Sequence, residues 1–367
     1  MKKLILILNI LALVFVLSGC WDSVEINDRE YLFAVGIDKG SDGNLLFTAE
    51  IPKINEGSEE QRIIISEEAL TLSNFYNAGF LKSEKVISDR LMQVIVIGEE
   101  VAKDPEIIKK LFDEIQRSPQ INRRVKIAIA KGEAQHIIKT EIPHNPIVGR
   151  YLSEMLVKLK RESYQEVYTF DEAILNLGTY GSGMIPVVEP HDDRLKIESS
   201  AVIKDYRLLG YLNYEQNKIV MLLKNPTYSS LENINIDVEG APVSLASVNV
   251  SLSKDMKLND NILKVDYYVT LYCFIDTFVI GNKSLEDENF VSKIKTTAID
   301  KLSKETEDAI YVLQKMYKTD LLKIKDDLYK YDNIKYSKIQ DNYDQVFANA
   351  DIKVHYKMDI KSVGLSK

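Results

Sequence analysis

The stretch Leu17-Ser18-Gly19-Cys20-Trp21-Asp22, followed by Glu25-Ile26-Asn27-Asp28 and Val35-Gly36-Ile37-Asp38-Lys39, organises this chain of 367 residues. Its front reports a destination, and its end opens the first predicted strand of the body. Upstream, Lys2 and Lys3 make a short positive start, and Leu4 to Leu17 is apolar except for Asn9. A basic end, an apolar middle and small residues before the cut are the three parts of an export signal, here residues 1–19. The apolar run is shorter than the ~20 residues a spanning helix needs.

Leu17-Ser18-Gly19-Cys20 also has the form of a bacterial lipobox. In that motif the cysteine thiol takes a diacylglycerol and the signal is cut just before it. Two acyl chains make a stable anchor, at ~0.8 kcal/mol per buried CH₂. Cys20 is therefore the expected lipid-attachment residue. The alternative is plain secretion with a cysteine at the cut.

Removing 19 residues leaves 348, more than one hydrophobic core usually serves, so two or more domains are expected. The formal charge is −8, and loss of Lys2 and Lys3 takes it to −10. Such an acidic chain is a poor nucleic-acid binder, because phosphates require clustered Lys and Arg. By the same average it gains nothing from anionic lipid, which leaves attachment to the acyl chains. With Cys20 acylated, Cys273 stands alone and no internal disulfide forms.

Tyr31–Asp38 carries apolar residues in both phases, which predicts a strand buried on both faces. Gly40-Ser41-Asp42-Gly43 is a turn, and Leu45, Phe47, Ala49 and Ile51 alternate in the next strand. Arg62–Ile65 is a further candidate strand, with a helix expected from Ser66-Glu67-Glu68 to Asn77. Met92–Ile97 reads as a central strand. Asp104-Pro105 starts a helix with Ile108, Leu111, Phe112 and Ile115 on one face. Val125, Ile127 and Ile129 alternate before Gly132. Helices are expected up to Lys139, where Pro143-His144-Asn145-Pro146 breaks the chain, and over Tyr151–Lys160. This strand–helix alternation predicts a mixed α/β region over residues 20–195, divisible into two subdomains. Gly178, Gly181, Gly183, Pro186 and Pro190 mark Tyr180–Asp193 as a junction.

The C-terminal part, 196–367, is predicted α+β. Ile197–Lys204 and Leu208–Leu212 form a hairpin turned at Asp205-Tyr206, and Tyr214–Leu223 is a short helix. Val248, Val250 and Leu252 alternate, as do Leu263, Val265, Tyr267, Val269, Leu271, Cys273 and Ile275. Ser284-Leu285-Glu286-Asp287 resembles a capping box. Phe290, Ile294, Ala298, Leu302, Thr306, Ile310, Leu313 and Tyr317 then make one stripe of a long amphipathic helix. Shorter helices follow from Asp320 and around Ile339–Phe347. Ile352, Val354, Tyr356, Met358 and Ile360 close the chain as a half-buried strand, expected antiparallel. The fold class is thus α+β (mixed α/β) and multidomain, with an N-terminal mixed-sheet region and a C-terminal antiparallel sheet packed on the long helix.

No catalytic, cofactor-binding or metal-ligating residue is assigned. His136, His144, His191 and His355 are scattered, and Glu189-Pro190-His191-Asp192-Asp193 reads as a solvated turn rather than a metal cluster. Gly178, Gly181 and Gly183 lack the Lys-Ser/Thr and following helix of a phosphate loop. No Gly-x-Ser-x-Gly elbow occurs. Cys273, in an apolar phase, is a poor nucleophile. Glu59-Glu60 and Glu67-Glu68 read as solvated faces.

Cys20-Trp21-Asp22, Glu25-Ile26-Asn27-Asp28 and Val35-Gly36-Ile37-Asp38-Lys39 resemble the opening of the Ger(x)C family, the C-subunit lipoproteins of spore germinant receptors. Val94–Lys103 looks like that family's strand-then-helix segment, and Arg123–Gly132 like its following strand. Thr319-Asp320, Asp341–Asp344, Phe347–Ala350 and Gly364 resemble its closing block. Tyr336 and Tyr343 stand where the family pattern has tryptophan, and Leu321-Leu322 where it has Phe-Gly. The resemblance implies a non-enzymatic subunit of unusual α/β domains, three in a known member. It implies lipid anchoring on the outer face of the spore inner membrane. It also implies assembly with integral membrane A and B subunits, to sense nutrients and trigger germination. The competing expectation, a lipid-anchored solute-binding protein serving a transporter, requires two similar α/β lobes around a cleft.

Overall fold

The computed structural model describes residues 29–53, 61–80, 85–143, 145–224, 234–259, 262–278 and 287–363. The signal segment, Cys20, Trp21–Asp28, Glu59-Glu60, His144, Ser284–Glu286 and Gly364 lie outside the described residues.

The first elements are β1 (Arg29–Tyr31), β2 (Ala34–Lys39), β3 (Leu45–Pro52), β4 (Arg62–Ala69), α1 (Leu72–Phe80), β5 (Val86–Ser88) and β6 (Val94–Ile97). There follow α2 (Glu99–Ala102), α3 (Pro105–Arg117), β7 (Lys126–Ala130), α4 (Ala134–Lys139), α5 (Val148–Arg161), α6 (Phe170–Tyr180) and β8 (Ser182–His191). Next come β9 (Arg194–Lys196), β10 (Ser200–Lys204) and β11 (Arg207–Leu212). They build a mixed sheet in the order β11-β10-β8-β7-β6-β2-β3-β4, with β9 on β8, while β1 and β5 form a separate parallel pair.

Both faces of this sheet are covered, as the double-phase pattern of Tyr31–Asp38 requires. Val35, Ile37, Phe47, Ile95, Ile127 and Ile185 face one core with α1, α3 and α6. Ala34, Val94, Val96, Ala128 and Val188 face a second with α4 and α5. Asp104 caps α3 as expected, accepting from Glu106 and Ile107 N–H, and Ile108, Leu111, Phe112 and Ile115 are its buried face. The β10–β11 turn has Asp205 and Tyr206 at φ 49° and 64°. Positive φ at both central residues suits a tight hairpin, because it matches the strand twist.

One expectation fails here. Ser66-Glu67-Glu68 does not open a helix; it continues β4, with Ser66 opposite Thr48 and Glu68 opposite Leu46. An edge strand takes polar residues on its open face, so the acids mimic a helix start. Within Tyr180–Asp193, where the sequence suggested a junction, the chain takes the form of the end of α6 followed by the ten-residue β8. Gly181 is the left-handed cap of α6, φ 72°, and Pro186 lies before β8 joins β7 at Val187, where a missing N–H costs no ladder bond on that side. The sheet also runs past residue 195, since β10 pairs with β8 from Ser200↔Pro186 to Lys204↔Ser182.

The second lobe begins with α7 (Tyr214–Lys224) and continues through β12 (Ile234–Val238), β13 (Ala241–Asn259), β14 (Ile262–Phe278) and α8 (Glu288–Tyr311). It closes with α9 (Ile324–Tyr331), α10 (Asn333–Ile339), α11 (Tyr343–Ala348) and β15 (Asp351–Val363). Leu263, Val265, Tyr267, Val269, Leu271, Cys273 and Ile275 of β14 are all buried under α8. The α8 cap is Asp287, whose carboxylate accepts from Asn289 N–H. A four-residue step drifts by about 40° per turn, so Ile310 rotates to half-buried and Ala309 takes its place. The helix then widens into a π turn over Val312–Tyr317, which buries Val312, Leu313 and Gln314 in succession.

The sheet order is β12-β13-β14-β15, antiparallel across the first three strands. The closing strand pairs parallel to β14, from Lys264↔Asp351 to Ile275↔Val363, which corrects the antiparallel expectation for it. Alternation reports burial, not direction. Direction follows from the connection: a helical crossover returns the chain to the end from which β14 started, whereas a hairpin cannot. Gln314 fixes that return, its buried amide donating to Phe347 O at 2.9 Å and Ala350 O at 2.8 Å. Gln314→Leu leaves the Ala350 carbonyl without this donor, while Phe347 O keeps the Ala350 N–H at 3.1 Å, and is expected to lower the unfolding free energy by about 1–3 kcal/mol, measured by urea denaturation.

Candidate functional site

The Val35-Gly36-Ile37-Asp38 signature splits between the two faces of β2. Val35 and Ile37 enter the core under α3, whereas Gly36 and Asp38 point to α4. A Cβ on Gly36 would lie 3.0 Å from Ile138 Cγ1 and 3.2 Å from the Ala134 backbone, so glycine lets α4 sit on the strand. Asp38, 5% exposed, accepts from the N–H of Ala134 at 2.7 Å and of Gln135 at 2.8 Å. Burial pushes its carboxyl above the ordinary value, and the two amide bonds pull it back. Gly98 completes the nest, since a Cβ there would stand 2.0 Å from Asp38 Oδ1.

The neighbouring strand repeats the device. Glu50 on β3, fully buried, accepts from Val148 N–H at 2.7 Å and Gly149 N–H at 2.6 Å at the start of α5. Arg62 on β4 pairs with Glu50 at 2.8 Å and donates to Ile138 O at 3.0 Å and Thr140 O at 2.7 Å. One guanidinium thereby balances a buried carboxylate and caps the C-terminal end of α4, the end that favours a cation. Glu114 of α3 likewise accepts from Leu72 and Ser73 N–H at the start of α1, at 3.1 and 2.8 Å. These carboxylates are committed to helix ends, which removes them from acid–base chemistry.

The lobes meet in a polar cleft of about 320 Å³ lined by Tyr168, Gly181, Lys204, Lys224, Asp320 and Lys323, among others. Asp320 organises its far wall, accepting from Leu322 N–H at 2.9 Å, Lys325 N–H at 2.8 Å and Tyr343 Oη–H at 2.6 Å. Lys204 crosses the seam to Lys318 O at 3.0 Å and Asp344 at 2.5 Å. Lys224 is buried against Glu166; burial pulls it below the ordinary lysine value, and Glu166 opposes that shift. Beside the cleft, Tyr317 lays its phenol on Gly210, where a Cβ would meet Tyr317 Oη at 2.5 Å, and donates to Tyr211 O at 2.9 Å.

The scattered residues weighed for chemistry stay apart. His136 is exposed beside Glu133 at 3.5 Å, His191 lies on the β8–β9 hairpin, and His355 bonds Asp266 at 2.8 Å. Among the described residues no group of three metal-ligating side chains converges. Gly178 lies in α6, Gly181 caps it and Gly183 is the second residue of β8. Glu67 and Glu68 lie on β4, and Glu68 accepts from Ser41 N–H at 3.1 Å. Cys273 is a free, buried thiol, and burial pushes it up to about 11. The sequence reading missed Glu50, Glu166 and Lys224, because a lone acid or base in a polar phase carries no mark of a distant partner.

This geometry defines a non-repeating scaffold of two unlike lobes, a mixed sheet covered on both faces and a smaller sheet under a long helix, with the buried Asp38 and Glu50 used as caps. Residues 22–190 match the spore germination protein N-terminal domain, and residues 198–364 the spore germination B3/GerAC-like C-terminal domain. The chain therefore belongs to the Ger(x)C family of spore germination proteins. It is similar to the spore germination protein YndF of Bacillus subtilis (strain 168), 23% identical over 97% of this chain and 95% of that one. The match to YfkR of the same organism is 22% identical and spans 59% of either chain. The crystal structure of the GerBC protein shares the fold, with a TM-score of 0.61 at 16% identity over 89% of this chain and 97% of that one.

Asp38→Ala exposes two helix amides to an apolar pocket and is expected to cost about 2–4 kcal/mol in urea unfolding. With Cys20 replaced by serine, a thiol reagent at pH 8 is expected to find no reactive thiol in the folded chain, and a single one after unfolding in guanidinium, because Cys273 is both covered and protonated.

Proposed function

We propose that this chain is the lipid-anchored C subunit of a spore germinant receptor, held by Cys20 on the outer face of the inner membrane. It assembles there with integral A and B subunits and carries no catalysis of its own. The observation that supports this most is joint: both family domains match in order, starting two residues after the lipobox cysteine. No helix among the described residues is long and apolar enough to cross a membrane, so attachment falls to the acyl chains. Confinement to a surface raises the effective concentration of a subunit beside its partners without any new contact. The dissimilar lobes speak against the solute-binding reading, which needs two similar ones.

Cys20→Ala is the test. The protein is expected to leave the membrane fraction, and spores that depend on this receptor are expected to lose nutrient-triggered germination while keeping nutrient-independent germination. Normal nutrient germination in spores with no other receptor overturns the proposal.

A further inference from the structure

The net charge of −8 averages over an uneven surface. Of the arginines in the chain, Arg29, Arg90, Arg117, Arg123, Arg124 and Arg150 gather at one end of the large sheet. Register places them: Ala34, Val94 and Lys126 are level where β2, β6 and β7 begin. Arg90 and exposed Leu91 lie in the turn just before β6, and Arg123 and Arg124 lie just before β7. Arg150 stands over the ring of Phe33, the residue preceding β2, at 6.0 Å. Arg123 donates to Gln116 O at 2.6 Å, which brings Arg117 to the same end.

Two of these arginines are neutralised, Arg117 by Asp113 at 3.0 Å and Arg123 by Asp171 at 3.6 Å. Arg29, Arg90, Arg124 and Arg150 have no carboxylate within ion-pair distance among the described residues, and Asp89, beside Arg90, is buried. The chain enters the body at this same end, through β1. From Cys20 to Arg29 is nine residue steps, which span at most about 30 Å fully extended.

We propose that this arginine-bearing end is a docking surface for anionic lipid headgroups, so that the first lobe sits on the bilayer and the second lobe is held away from it. This rests on Cys20 as the anchor, because the tether length is what brings this end to the membrane. The chemistry fits phosphate: guanidinium groups bind phosphate oxygens bidentately, and exposed Leu91 and the Phe33 ring under Arg150 put apolar surface beside them. The acidic average does not oppose it. Surface fields decay within a Debye length of about 8 Å at physiological salt, so the facing patch decides, not the sum over the chain.

The test uses the mature chain, residues 20–367 with Cys20→Ser, so that no acyl chain contributes. It is co-sedimented with vesicles of phosphatidylcholine alone or mixed with phosphatidylglycerol. Binding is expected only to the anionic vesicles, falling as salt is raised. Each arginine near such a surface is worth about five-fold in partition, so Arg90→Gln, Arg124→Gln and Arg150→Gln together are expected to weaken binding on the order of 100-fold. The same three positions changed to lysine retain most of it, and Arg194→Gln, at the opposite end of the sheet, changes nothing. Equal binding to both vesicles, undiminished binding by the triple glutamine variant while its unfolding midpoint is unchanged, or binding to neither vesicle overturns the proposal, the last in favour of an acidic protein surface. Failure here leaves the acylation of Cys20, read by mass, untouched. An unmodified Cys20 with intact vesicle binding overturns only the anchor.

Discussion

The two buried carboxylates on adjacent strands, Asp38 and Glu50, are the constraint on which the first lobe depends. Each sits on the strand face away from the larger core, and each receives the first amides of a helix. A carboxylate taken out of water is tolerated only where donors replace its hydration. The helix N-terminus supplies those donors in a fixed fork, with the positive end of its dipole behind them. Removing the acid or shifting the helix therefore has the same consequence, and strand and helix are locked in one register. Arg62 closes the arrangement by joining Glu50 to the far end of α4.

The lobe so fixed passes its order on through the seam. Met184, Val202 and Leu212 of the large sheet belong to the same apolar cluster as α7, α8 and the second sheet. Around that contact, Tyr317 on Gly210, Lys204 on Asp344 and the Lys224–Glu166 pair align the lobes by polar contacts that work at one geometry. Of these, the Lys224–Glu166 pair is the most buried, and breaking one of its partners leaves the other uncompensated.

Much of this was legible in the chain. The double-phase apolar pattern of Tyr31–Asp38 gave a strand covered on both faces, Asp104-Pro105 gave a helix start, and the alternation around Cys273 gave a buried thiol. These succeed because each depends on residues within one or two turns of each other. Ser66-Glu67-Glu68 failed as a helix start because edge strands and helix N-termini both favour acids. The Gly/Pro-rich run before Asp193 concealed the end of α6 and the strand β8, because cap glycines and tolerated strand prolines use the same residues as linkers. Tyr343 was noted only as a departure from a family pattern; its role beside Asp320 needed the fold.

By itself the sequence carried the family likeness and most of the longer strands and helices, since periodicity and capping are local, and the export signal and the lipobox cysteine are expectations that rest on it alone. The tertiary structure alone decided that β15 runs parallel, because direction comes from the crossover and not from alternation. It alone decided which acids are caps, because Asp38 and Ala134 meet only when a strand and a helix 96 positions apart close on each other. It alone gathered the arginines of an acidic chain at one end, because charge sums along a sequence carry no direction in space.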